Sequence, residues 1–437
     1  MKTQRVIRTQ ASSNGGTLAH EQMSRRIFLQ TVSNAGAVAL ARVTAGCSGL
    51  RGACPANPDA YTVERQIVSQ GFDGKTCWVQ ARAGIIPPST AVLTAQKLLL
   101  SGSDVFYAIN SRRSVDGGVR WNGFSEQKTL GRLPMEEGRQ SCPCDAWPTW
   151  HAASGKLLMT GHVAVYNRNN ALDGSYTRQT FYSVYHTADD TWSAWRTLAH
   201  PEGGVMLDGG AGCTQRHDLP DGTILLPVYG RSSTGARNCY ASVVLRCAFD
   251  GRELRVVEQG TPLTIDRPRG FCEPSVIGHK GEFFLTLRND EKGFVSISKD
   301  GLHYSEPVPW CWDNGEEIGN YNTQQHWVSG GGGLFLVYTR RADNNGHVFR
   351  HRAPLFMARV APQSLRLVRA TERIIVPERA SRLGNFGITR VSENESWVVV
   401  SEWMQSAKGV QACVDGGGDN RIWIARLNWA TRKQRHA

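Results

Sequence analysis

No stretch of this 437-residue chain reaches the ~20 consecutive apolar residues that a membrane-spanning helix requires. From about Cys77 to Trp429 no segment keeps a 3.6-residue apolar period for more than a turn or two, which argues against a helical architecture. The eleven cysteines include no pair of pairs at metal-ligand spacing. Cys142-Pro143-Cys144 is the only close pair, and it fits neither a zinc ribbon nor a thioredoxin motif. No obligatory metal and no other cofactor is therefore expected. No Lys/Arg run is interleaved with aromatics, so no nucleic-acid partner is expected either.

What the chain has in quantity is glycine, 46 residues, and tryptophan, 13. The glycines punctuate short apolar runs, as in an all-β chain with many turns. The formal charge is +12, but residues 1–46 hold six basic side chains (Lys2, Arg5, Arg8, Arg25, Arg26, Arg42) and one acidic (Glu21), leaving about +7 for the remainder. Such a balance fits a basic rim that attracts acidic glycans or other anions, or a solvated surface with scattered arginines.

Ser24-Arg25-Arg26-Ile27-Phe28-Leu29, followed by a weakly apolar stretch to Ala41, reads as a twin-arginine export signal occupying residues 1–46. Val43-Thr44-Ala45 suits ordinary signal cleavage. Thr44-Ala45-Gly46-Cys47 resembles a lipoprotein box without its usual Leu, which leaves lipid attachment at Cys47 open. The expected location is periplasmic or extracellular, where disulfides can form. The odd cysteine count leaves at least one thiol outside any intrachain bond, Cys47 being the obvious one. Residues 47–75 read as a linker and 76–433 as one domain, expected as a monomer.

Within that domain, Phe271–Trp310 shows the repeating unit. Ser275–Ile277, Glu282–Leu287 and Phe294–Ser298 read as strands separated by Gly, Asn and Asp turns, with a fourth strand leaving near Tyr304. Ser298-Lys299-Asp300-Gly301 through Tyr304 has the order of an Asp box, a turn in which the Asp carboxylate accepts backbone N–H bonds and Gly takes positive φ. Ser114–Trp121 is a full SxDxGxxW box, and Thr187–Trp192 and Phe249-Asp250-Gly251 are degraded copies. Turns recurring every 50 to 75 residues predict an all-β, six-bladed β-propeller of four-stranded antiparallel blades.

These features resemble the sialidase (neuraminidase) superfamily over nearly the whole chain after residue 76. Gly84-Ile85-Ile86-Pro87 keeps the Ile-Pro half of the family's first-blade Phe-Arg-Ile-Pro. Gly212–Gln215 with Asp221-Gly222 and Pro227 resembles its third-blade pattern, and Glu273 with Arg288 looks like its glutamate and second triad arginine. The resemblance implies an arginine clamp on a sugar carboxylate and a Tyr nucleophile activated by Glu. Two departures stand out. The first triad arginine falls at Ile85 unless Arg82 replaces it, and Gly384-Asn385-Phe386-Gly387, where the nucleophile is expected, contains no Tyr.

The resulting expectation is an exo-acting glycoside hydrolase on a terminal acidic sugar. Glu273, His151 and His162 would be catalytic, the imidazoles handling protons near neutral pH. Arg288 and Arg352 would hold the carboxylate, with Arg340 another rim arginine. Asn322, Gln324, Gln325 and His326 would bond sugar hydroxyls, with Glu402 a further rim candidate. For each of these, a structural role inside the propeller is the competing reading. A lyase on a uronate-containing polymer fits the same residues, and a non-catalytic glycan-binding propeller is the third alternative.

Overall fold

The computed structural model describes residues 61–100, 104–200, 206, 208–231 and 239–430. The proposed export signal and Cys47 lie outside the described residues. Six antiparallel sheets form a propeller. Blade 1 holds Thr76–Ile86, Thr90–Leu99, Phe106–Ser114 and the short Ser125–Glu126. Blade 2 is built on Gln140–His151, Lys156–Tyr166 and Thr180–His186, and blade 3 on His217–Asp218, Ile224–Arg231, Cys239–Phe249 and Leu254–Gln259. Blade 4 comprises Cys272–His279, Glu282–Arg288, Gly293–Ser298 and Val308–Pro309. Its fourth strand thus lies beyond Tyr304, which makes only an isolated bridge to Ser298. Blade 5 comprises His326–Gly330, Gly333–Tyr338, Leu355–Ala361 and Arg366–Val376.

Blade 6 contains Phe386–Arg390, Glu395–Ser401 and Ile422–Trp429, and its outermost strand is Tyr61–Ser69. That strand lies inside the stretch read as a linker from sequence. It pairs with Ile422–Trp429 over eight registered positions and joins the two ends of the described chain in one sheet. Its burial pattern, mostly half-exposed or exposed, is the pattern of an outer strand and gives little apolar signal. Middle strands such as Gly333–Tyr338 are buried at every position because neighbouring blades cover both faces, so they read as continuous apolar runs.

The blade turns hold together as their residue order requires. Asp116 Oδ1 accepts the amides of Val119 and Arg120 at 3.1 and 2.9 Å, and Ser114 Oγ accepts that of Gly118 at 2.8 Å. Asp300 accepts the amides of Leu302 and His303 in the same way.

The centre of the ring is filled halfway along its axis. Buried Arg82 bonds the carbonyls of Ala146 and Phe386 and stacks on Trp147, tying blade 1 to blades 2 and 6. Gln215 bonds both the N–H and the carbonyl of Trp327. His326 bonds Ser275 Oγ at 2.8 Å and packs edge-on to Trp147 and Phe386. This plug leaves a cavity at each end of the axis.

Candidate active site

The cavity at the end where the inner strands begin has a volume of about 520 Å³, in the range of small-ligand sites. A recurring backbone feature builds it. Gln80, Asp145, Cys213, Glu273 and Asn322, one from each of blades 1 to 5, all take positive φ between 46° and 59°. In blades 1, 2 and 4 this residue sits where the inner strand's pairing register slips. A left-handed residue breaks the strand's alternation, so its side chain turns toward the axis instead of into a blade interface. Gln80, Asp145 and Glu273 all line the cavity.

Around them stand six arginines, Arg178, Arg269, Arg288, Arg350, Arg352 and Arg382, against three lining carboxylates, Asp104, Asp145 and Glu273. The arginines are not alike. Arg288 Nη1 donates to Glu273 Oε1 at 2.6 Å, and its Nη2 donates to Asp290 at 2.9 Å and to Asn322 Oδ1 at 2.6 Å, so its charge is compensated. Arg352 donates through Nε to the Asn322 carbonyl at 2.9 Å, and through Nη1 to Asn385 at 3.4 Å, and makes no ion pair among the described residues. Burial, Arg288 and Arg350 push it down to about 9. Arg382 is 2% exposed and lies flat on Trp403, 3.6 Å from the ring centroid. Its Nε has no hydrogen-bond partner, and burial with Arg352 and Arg350 nearby holds it well below the ordinary arginine range.

The two carboxylates that face this charge are pushed apart. Burial alone would raise Glu273, but Arg288, then Arg352 and Arg269, outweigh it and keep the group ionised, with Oε2 unpartnered. Asp145 is raised to about 6, chiefly by burial, with Glu273 and Asp104 adding to it against Arg82. Cys213 Sγ donates to Asp145 Oδ1 at 2.9 Å, and His162 Nδ1 is 3.4 Å from Oδ2. Burial, Arg178 and Arg82 hold His162 well below its usual range, so it is a neutral imidazole. Gly212 makes room for it: a Cβ there would run into the His162 ring. Gly384 does the same for Arg352.

Cys144, Asp145 and His162 bring a sulfur, an oxygen and a nitrogen within 4.8 Å of one another. The surroundings do not suit a cation. Burial keeps the Cys144 thiol protonated, and the second His162 nitrogen faces the Arg178 guanidinium at 3.5 Å instead of an acceptor. Burial likewise keeps Cys213 a protonated thiol, unlike an activated nucleophile. The nine described cysteines are all free.

Of the residues expected from sequence, Glu273, Arg288, Arg352 and His162 meet in the cavity, and Asn322 braces both arginines. The others lie elsewhere. His151 bonds Ser154 Oγ and the Gly222 carbonyl at a turn between blades 2 and 3. Arg340 is paired with Glu372 at 2.7 Å. Gln324, Gln325 and His326 are buried and do not line the cavity; His326 belongs to the plug, and Gln325 accepts from Thr286 Oγ1 of blade 4 at 3.1 Å. Glu402 is 1% exposed and accepts from the Asp419 and Arg421 amides and Trp423 Nε1, a structural carboxylate. Arg82 belongs to the plug, and Gln80 takes the cavity position in blade 1. Gln80, Asp104, Asp145, Arg178, Tyr229, Tyr240, Arg269 and Arg382 were missed. One signal was available for Gln80 and Asp145: each precedes its strand end, Ile86 or His151, by the same interval that separates Glu273 from His279.

No family model matches the chain, and no curated protein matches it in sequence. Solved structures do match. A protein of unknown function from Dyadobacter fermentans aligns over 84% of this chain and 99% of its own, with TM-score 0.54 and 13% identity. A Hadza microbial sialidase aligns over 80% of this chain, with TM-score 0.55 and 11% identity. The Trypanosoma rangeli sialidase in complex with sialic acid aligns over 86%, with TM-score 0.55 and 14% identity. This chain covers 66% and 60% of those two sialidases. The chain therefore shares the six-bladed propeller fold of solved sialidases and diverges widely from them in sequence.

Proposed function

We propose that this chain is an exo-acting glycoside hydrolase that removes a terminal acidic sugar from a glycan. The observation that carries the reading is the split between Glu273 and Asp145, one carboxylate depressed and one raised, inside an arginine-rich cavity. Two titratable groups pushed apart by their surroundings are the mark of an acid–base pair. Arg352, with Arg382 beside it, holds the sugar carboxylate, because Arg288 already has its partners. Asp145 in its protonated form gives its proton to the leaving oxygen as the glycosidic C–O bond breaks and the electron pair goes to that oxygen. Glu273 takes a proton from the water that attacks the anomeric carbon, and a second proton transfer resets the pair. The Cys213 thiol holds the Asp145 carboxyl in place.

The test is incubation with sialosides and with uronate-ended glycans, following free reducing sugar. Release that falls by about 10²–10⁴ in Glu273→Gln and in Asp145→Asn supports the reading. Full turnover by Arg352→Gln would overturn it.

A second reading, a lyase on a uronate polymer, gains from one observation. The neutral His162 stands near the phenols Tyr229 and Tyr240 along the same wall, groups suited to moving a C5 proton. A lyase product carries an unsaturated chromophore, which the same incubation would reveal by ultraviolet absorbance.

A further inference from the structure

The Arg352–Arg382 pair is not the only cationic group of the cavity without an ion pair among the described residues. Arg178, on the segment joining two blade-2 strands, lies over the rings of Tyr229 and Tyr240 at 4.7 and 5.2 Å. Its guanidinium donates to the Tyr229 hydroxyl at 3.0 Å and to the Tyr240 hydroxyl at 3.4 Å. Arg269 stacks on the other part of this wall, 5.5 Å from the Tyr240 centroid, with its Nε buried and unpartnered. Neither arginine makes an ion pair among the described residues. Tyr hydroxyls accept hydrogen bonds but do not neutralise a cation.

The two pairs stand on different walls. Arg352 and Arg382 enter from blades 5 and 6, and Arg178 and Arg269 from blades 2 to 4. Asp145 and Glu273 line the cavity too. One carboxylate can bridge one pair of guanidinium groups; it cannot also compensate the other across the ring. Desolvated guanidinium groups left without an anion are costly, and the side chains here are fixed by aromatic stacking before any ligand arrives.

We propose that the ligand of this cavity is a dianionic saccharide: its first anionic group is held by Arg352 and Arg382, and its second by Arg178 and Arg269. The second group is a carboxylate on an adjoining sugar or a sulfate ester on the same one, both of which accept two parallel guanidinium bonds. This rests on the acidic-sugar reading above and narrows it to doubly charged substrates. A singly charged sugar fills half of the charge pattern, and a neutral one none of it.

The experiment is calorimetric titration of the full chain with three probes: galacturonate, its disaccharide digalacturonate, and a sulfated glucuronate. At least one dianion is expected to bind tenfold or more tighter than galacturonate, and the one that does identifies the second group. Arg178→Gln is expected to bring the dianion-to-monoanion affinity ratio to within about twofold of unity, and Arg382→Gln to weaken both ligands. Where Arg178→Gln does not fold, judged by circular dichroism, Arg269→Gln serves as the second variant. Equal affinities for all three probes in the wild type, or an unchanged ratio in the variant, would overturn the proposal while leaving the single-carboxylate clamp standing. Absence of binding by every anion would instead remove the acidic-sugar reading itself.

Discussion

The propeller has two mouths of similar size and opposite chemistry. The one where the inner strands begin, at about 520 Å³, is lined by six arginines and three carboxylates. The one where those strands end, at about 560 Å³, is lined by Ala83, Ile85, Trp147, Pro148, Val276 and Ile388 among others, and its buried arginine Arg216 is paired with Asp218 at 3.0 Å. The same inner strands supply both. At their starts, left-handed residues turn polar side chains onto the axis; toward their ends, regular pairing returns and the side chains meet one another. The difference shows that buried charge without an ion pair among the described residues is a property of one mouth and not a by-product of closing a ring.

Substitutions can break that contrast. The largest effect is expected from the carboxylate pair. Glu273→Gln and Asp145→Asn should each lower kcat/KM by about 10²–10⁴, while Arg390→Ala at the other mouth leaves it within twofold, as read by release of reducing sugar. Next come stability changes of opposite sign. Glu273→Ala leaves the buried Arg288 with Asp290 as its remaining carboxylate partner and should cost about 3 kcal/mol in denaturant unfolding. Arg382→Met removes a buried cation that makes no ion pair among the described residues while keeping an apolar side chain against Trp403, so the ligand-free protein should gain about 1–3 kcal/mol while losing anion affinity.

A smaller effect should follow from pH. Burial and the neighbouring arginines hold the Arg352 guanidinium down to about 9 in the folded chain, well below its ordinary value in the unfolded one. Between those values the unfolded chain binds more protons, so stability should rise as pH climbs through 9. Affinity for an acidic sugar should fall over the same window, because the ligand needs the charged guanidinium. Thermal melts and titrations between pH 7.5 and 10 check both signs, and Arg352→Gln should flatten both. The smallest effect is expected at His151, whose two ring nitrogens are spent on Ser154 and Gly222. His151→Asn should cost about 1 kcal/mol of stability and leave turnover unchanged.

The six-bladed architecture could be read from the sequence because it rests on local rules. Turn chemistry at Ser114–Trp121 and Ser298–Tyr304 and the spacing of short apolar strands act within a few residues. The closing strand Tyr61–Ser69 was hidden because an outer strand needs few apolar residues, and its partner lies more than 350 residues away. In the site, Glu273 and Arg288 were legible because they sit on adjacent strands of one blade. Arg178 and Arg382 were not, since each comes from a connecting segment whose direction only the folded ring sets. Gln325 and His326 misled for a related reason: a polar, aromatic-rich run serves blade packing, or the plug between the mouths, as readily as a binding surface.

The pH profile of kcat/KM for wild type and Asp145→Asn tests the central claim most directly, because it reports the ionisations of the free enzyme. Asp145 must be protonated to act as the acid, so activity is predicted to decline as pH rises past about 6. On the acid side it should hold until Glu273 protonates, below the usual carboxylate range. The residual activity of Asp145→Asn should lack the decline near 6. An alkaline limb that persists unchanged in that variant would contradict the assignment of Asp145 as the acid.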